Sequence, residues 1–244
     1  MMKRREEWLV APFVVATLLM VAGCGPRESG SPVPAERTPA AAAAVAVPAT
    51  AAAPTARLPR IVVLGDSLTA GLGLDRRDAY PTLLQQRLKA AGLNYEVVNA
   101  GVSGDTSADG LSRLDWALDG DVRVLIVALG GNDGLRGLPV AQLQDNLARI
   151  IEPAQARGIR VILAGMDAPP NYGRDYIVSF HKVYPALAAK YHVALVPFLL
   201  QNVAGIESLN QRDGIHPTAQ GARLVADNVW AVLKPVIEQG RSGS

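Results

Sequence analysis

One cysteine, three histidines and 5% aromatic residues stand in a chain of 244, and each shortage excludes something. Cys24 is alone, so no internal disulfide can form. His181, His192 and His216 are scattered and none stands near the cysteine, which does not resemble a zinc site. Net charge is also missing from most of the chain. Residues 1–58 hold six basic and four acidic side chains, leaving 24 − 6 = 18 basic and 22 − 4 = 18 acidic for the remaining 186 residues. A neutral domain poor in aromatics has no electrostatic footprint for nucleic acid. What is present is a 49% hydrophobic composition, enough for a buried core in one or two domains.

The N-terminus reads as an address. Lys3, Arg4 and Arg5 precede an apolar run from Leu9 to Gly23, interrupted by Pro12. That run is shorter than the roughly 20 residues a membrane-spanning helix needs, and it fits the h-region of a secretory signal. Val21-Ala22-Gly23-Cys24 resembles the bacterial lipobox, whose cysteine is lipidated and becomes the first mature residue. The alternative is an ordinary cleaved signal with an incidental cysteine. Gly25 in place of Asp favours, by resemblance to enterobacterial sorting, the outer membrane over the inner. The expectation is an exported chain, an outer-membrane lipoprotein facing the periplasm and held by lipid at Cys24. A soluble periplasmic or secreted protein is the alternative. Residues 25–59 contain 12 Ala and 7 Pro, too little apolar surface to offset chain entropy, and read as a disordered tether.

From Arg60 the pattern alternates. Ile61–Leu64, Tyr95–Ala100, Val122–Leu129, Arg160–Ala164 and Ala194–Val196 read as strands, the third being the strongest. Residues 80–91, 106–118, 139–157 and 175–191 carry apolar side chains at helical spacing. Pro217 opens a last helix, whose inner face takes Ala222, Val225, Val229, Leu233 and Val236. The expectation is an α/β fold: a three-layer α/β/α sandwich on a five-stranded parallel sheet, with one domain over 60–238 and a disordered tail at 239–244.

In such a sheet the ligand crevice lies beyond the carboxyl ends of the strands. Four segments fall there: Gly65-Asp66-Ser67-Leu68, Ser103-Gly104-Asp105-Thr106, Gly130-Gly131-Asn132-Asp133 and Asp213-Gly214-Ile215-His216-Pro217. A serine hydroxyl needs a base to act as a nucleophile, and His216 is the only histidine in a strand-end loop. Asp213 stands three residues upstream, within reach of the imidazole. The backbone N–H groups of Ser67 and Gly104 and the Asn132 amide are suitable donors for an oxyanion. Singly, each has a plainer reading. A serine after a strand is commonly an N-cap, and Asp213 and Asn132 are turn formers. Asp66, Asp105 and Asp133 read as loop-shaping residues, and His181 and His192 as surface residues of a helix.

In combination, these four motifs in this order resemble the SGNH (GDSL) hydrolase family, and most of all its bacterial thioesterase/lysophospholipase/arylesterase group. The longer strings Ser103–Ser107, Gly130–Gly137 and Asn171–Arg174 strengthen the likeness. The resemblance covers essentially all of 60–238 and implies a flavodoxin-like fold. It implies Ser67, Asp213 and His216 as the triad, and Ser67, Gly104 and Asn132 as the oxyanion hole. It implies no metal and no organic cofactor. The substrate would be a small acyl ester or thioester, cleaved through an acyl-enzyme, with loops 133–138 and 168–173 lining the pocket. Two rivals stay open: a carbohydrate O-acetyl esterase on the same scaffold, and a catalytically inactive lipid-binding lipoprotein. Nothing in the sequence sets the oligomeric state.

Overall fold

The computed structural model describes residues 57–242. The signal segment with Cys24, the tether up to residue 56, and residues 243–244 lie outside the described residues. The strands are β1 (Arg60–Gly65), β2 (Glu96–Gly101), β3 (Val122–Ala128), β4 (Arg160–Ala164) and β5 (Ala194–Val196). The helices are α1 (Ser67–Ala70), α2 (Tyr80–Ala90), α3 (Ser107–Ser112), α4 (Leu114–Ala117), α5 (Gly131–Leu135), α6 (Val140–Ala156), α7 (Arg174–Tyr191) and α8 (Ala219–Ser242). Single 3₁₀ turns occupy Pro170–Tyr172 and Glu207–Leu209.

All five strands are parallel, in the order β2-β1-β3-β4-β5. The chain goes out from β1 to β2, returns across β1 to β3, and continues to β5. Right-handed crossovers in opposite directions put helices on opposite faces. Accordingly α2 packs with α8 on one face, while α3, α6 and α7 pack together on the other. β1 and β3 carry near-continuous apolar runs because both of their faces are covered, and Arg123 is the one exposed residue of β3.

The expected elements stand close to where their periodicity put them, with four differences. The segment 106–118 is two short helices, broken at Arg113, whose side chain turns back to the strand ends. Short helices α1 and α5 follow β1 and β3; four or five residues carry no readable period. The last helix begins at Ala219 because the Thr218 hydroxyl accepts the Gly221 N–H, and Ile237 rather than Val236 completes its fully buried face. That helix runs on to Ser242, so residues 239–242 are helical and not the expected disordered tail.

Candidate active site

The direction in which the chain winds across the sheet reverses between β1 and β3, and there the crevice opens. Asp66, at the end of β1, caps α1: its Oδ1 accepts the Leu68 N–H at 3.0 Å. The cap is therefore Asp66, and Ser67 is free for another use. Its Oγ lies 2.8 Å from Nε2 of His216, a residue 149 positions away in sequence. Nδ1 of His216 donates to Asp213 Oδ2 at 2.7 Å, which leaves Nε2 to accept the serine proton. Asp213 Oδ1 accepts the backbone N–H groups of His216 (3.0 Å) and Ile215 (2.9 Å). Those bonds, with the His216 side chain, hold its pKa down to about 2, so the carboxylate is ionised across the neutral range.

The three groups expected to donate to an oxyanion stand on α1, in the loop after β2 and on α5. Ser67 is the first residue of α1, so its N–H has no acceptor within the helix. Gly104 adopts φ +89°, a conformation that favours glycine, and its carbonyl accepts from Arg136 at 2.8 Å. Asn132, in α5, donates its amide to Asp105 O at 2.9 Å and faces Asp66 Oδ2 at 3.4 Å. Ser67, Asn132 and His216 line one cleft, with Asp213 bonded to His216 and Gly104 next to the Asp105 carbonyl that accepts from Asn132.

Other side chains hold these loops and were not anticipated. Arg113 donates to Asp105 Oδ2 (2.7 Å), Ala100 O (2.7 Å) and Gly65 O (2.8 Å), tying together the ends of β1 and β2. Asp133 is not a local loop-shaping residue: it is buried and accepts both the N–H (2.8 Å) and the hydroxyl (2.5 Å) of Ser107. Asn146 of α6 in turn donates to that hydroxyl at 2.9 Å. Asn146 was legible as a polar residue among the apolar positions of its helix; Arg113 gave no such signal. Asp66 is 2% exposed, and burial pushes its pKa up to about 6.

The cleft beside Ser67 has a volume of about 380 Å³. The expected loops supply Leu135 and Ala168–Pro170, while Phe198, Leu200, Ala204 and Ile215 complete an apolar wall that periodicity did not point to. An aromatic ladder backs α5, on the Leu135 side of the cleft. Tyr172, Tyr176, Phe180 and Tyr184 stack with centroids 5.3, 6.0 and 6.0 Å apart. Their hydroxyls donate to Leu135 O (Tyr172, 2.8 Å), Leu138 O (Tyr176, 2.8 Å) and Leu129 O (Tyr184, 3.0 Å). His181 is on the surface of α7, bonded to Asp167 at 2.8 Å; exposed His192 is the helix C-cap, at φ 53°.

A parallel sheet carrying a Ser-His-Asp relay at its switch point defines a serine hydrolase. Residues 63–224 match the GDSL-like lipase/acylhydrolase family, and the chain belongs to it. It is 49% identical over 178 residues to esterase TesA of Pseudomonas aeruginosa, covering 72% of this chain and 89% of that one. Thioesterase 1/protease 1/lysophospholipase L1 of Escherichia coli is 38% identical over 178 residues, covering 72% and 84%. The crystal structure of the psychrotrophic esterase EstA from Pseudoalteromonas, inhibited by monoethylphosphonate, superposes with a TM-score of 0.70 at 32% identity, covering 73% of this chain and 98% of that one. The chain is a serine esterase, a hydrolase acting on carboxylic esters or thioesters. Among the described residues, no helix is long and apolar enough to cross a membrane.

Proposed function

We propose that Ser67 attacks the acyl carbonyl while His216 takes its proton. The histidine then returns that proton to the departing alcohol or thiol, leaving an acyl-Ser67 ester. Water, deprotonated by the same imidazole, cleaves the ester and releases the acid. Asp213 fixes the imidazole tautomer and supports its transient positive charge. Ser67 N–H, Gly104 N–H and the Asn132 amide receive the tetrahedral oxyanion. One observation carries this reading: an unbroken Ser67–His216–Asp213 relay, 2.8 and 2.7 Å, opening onto an apolar cleft.

The substrate is an acyl ester or thioester with an apolar acyl chain. A cleft of about 380 Å³ lined by Phe198, Leu200 and Ile215 offers more apolar contact than an acetyl group can use, which disfavours the carbohydrate acetylesterase reading. The esterase and thioesterase/lysophospholipase names of the relatives support the same substrate class. The test is a series of p-nitrophenyl esters from acetyl upward. The expected outcome is kcat/KM rising beyond acetyl, and loss of turnover in Ser67→Ala with the fold intact. Acetyl-only activity would instead favour the carbohydrate esterase. Undiminished turnover in Ser67→Ala would remove the mechanism.

The chain is exported and anchored by lipid at Cys24, with residues 25–59 joining anchor to hydrolase domain. The basic start, the short apolar run and the Val21–Cys24 motif support this placement in the outer membrane, facing the periplasm.

A further inference from the structure

Asp66 is a buried carboxylate lining the cleft that the reaction above does not use. Its cap on α1 needs only Oδ1. Oδ2 points the other way, to Asn132 Nδ2 at 3.4 Å. The approach is close enough that a Cβ on Gly131 would stand 3.2 Å from Oδ2, so the glycine before Asn132 makes room for this carboxylate. Asn132 Nδ2 has two protons. One is fixed on Asp105 O at 2.9 Å, and the other is turned toward Asp66 by a bond too long to compete with an oxyanion.

We propose that Asp66 is a positioning residue for the oxyanion hole: its ionised carboxylate aims the second Asn132 N–H, and its protonation lets that N–H turn away. This rests on the oxyanion role assigned to Asn132. Once Oδ2 carries a proton it is a donor facing a donor, and the amide loses its reason to stay aligned.

The groups that face Asp66 set when this happens. His216 approaches from the loop before α8 and lowers its pKa; Asp105, itself bridged to Arg113, raises it. The Tyr80 and Tyr184 hydroxyls, from α2 and α7, are near enough to feel its charge and are themselves pushed up, mainly by burial. Burial outweighs the rest and leaves Asp66 at about 6. Between its ordinary 3.8 and about 6 the folded state keeps a proton that the unfolded chain has lost, so stability falls as pH rises through that window. The ionised carboxylate therefore costs the fold stability.

Asp66→Asn tests the proposal. The new carboxamide can keep the cap through its oxygen and places its nitrogen where Oδ2 was, imitating the protonated acid. At pH 8 kcat on a p-nitrophenyl ester is expected to fall about tenfold, less than removal of an oxyanion donor costs, with KM unchanged. The acid limb of kcat is expected to lose the Asp66 protonation. The thermal midpoint at pH 8 is expected to stay level or rise, and phosphonate titration of Ser67 to count a full set of sites. In an Asn132→Ala background the same substitution is expected to cost almost nothing more, because both act through one amide. An undiminished tenfold loss in that background would overturn the proposal. So would an unchanged acid limb, or a lower midpoint with sites lost in proportion to activity. If Asn132→Ala alone left kcat untouched, the oxyanion reading itself would fail, a distinguishable result.

Discussion

Asn132 shows how little of a residue's role lies in its identity. An asparagine after two glycines is an ordinary turn former, yet here its amide stands beside Ser67 with one proton committed to Asp105 O at 2.9 Å. Asn132→Ala is expected to lower kcat by roughly 10²–10³, the usual cost of losing one donor aimed at developing charge. KM should change far less, since the ground-state carbonyl binds such a donor weakly; steady-state kinetics on a short p-nitrophenyl ester separate the two. A steep rise in KM with kcat preserved would make Asn132 a substrate-binding residue. Ser67, Asp213 and His216 were legible because acyl transfer needs those three chemistries and the strand pattern placed all three at one sheet edge. Asp66 and Arg113 were not. An aspartate after a strand looks the same whether it caps a turn in water or lies 2% exposed against the Asn132 amide. Only the packing of α5 against the end of β1 distinguishes the two.

At the scale of elements, the loop bearing Asn132 is held from behind by α7. Tyr176, Phe180 and Tyr184 recur every fourth residue, so one helix face presents a continuous stack, and two of its hydroxyls reach carbonyls flanking α5. The price of this closeness is set at Gly130. Its φ is +111°, and a Cβ there would fall 2.1 Å from the Tyr184 hydroxyl. Gly130→Ala is expected to destabilise the domain by about 2–4 kcal/mol from backbone strain and overpacking combined, read from urea unfolding. Adding Tyr184→Phe removes the clashing oxygen, so the double variant should lose less than the two single losses summed. Additive losses would mean that strain at Gly130, not the tyrosine, sets the requirement. The long elements could be read from sequence because apolar runs and 3.6-residue spacing encode them directly. The end of α8 could not. Gly240 reads as a stop, but the Arg160 side chain lies against it and donates to Val236 O, so a contact across the fold carries the helix onward.

For the molecule as a whole, the first backbone bonds among the described residues fall at Pro59, whose carbonyl accepts the Glu96 N–H at 3.0 Å, and at Arg60, whose N–H reaches Asp121 O at 2.7 Å. A chain beginning at Leu58 keeps both and is expected to hydrolyse esters at the full-length rate. Cys24→Ser in the full chain is expected to abolish incorporation of radiolabelled palmitate in producing cells while leaving ester turnover intact. Absence of label in the wild type would reduce the first 24 residues to an ordinary export signal.

Parallel strands also give the domain a front and a back. The chain comes in at the amino end of β1, and the six residues of that strand, roughly 20 Å, lead on to Asp66 and Ser67. The last helix, bound to Arg160 at the start of β4, finishes at the same pole as the chain's arrival. Residues 57–59 thus lead into the sheet at the pole opposite the cleft, and an ester entering the cleft has no need to pass them.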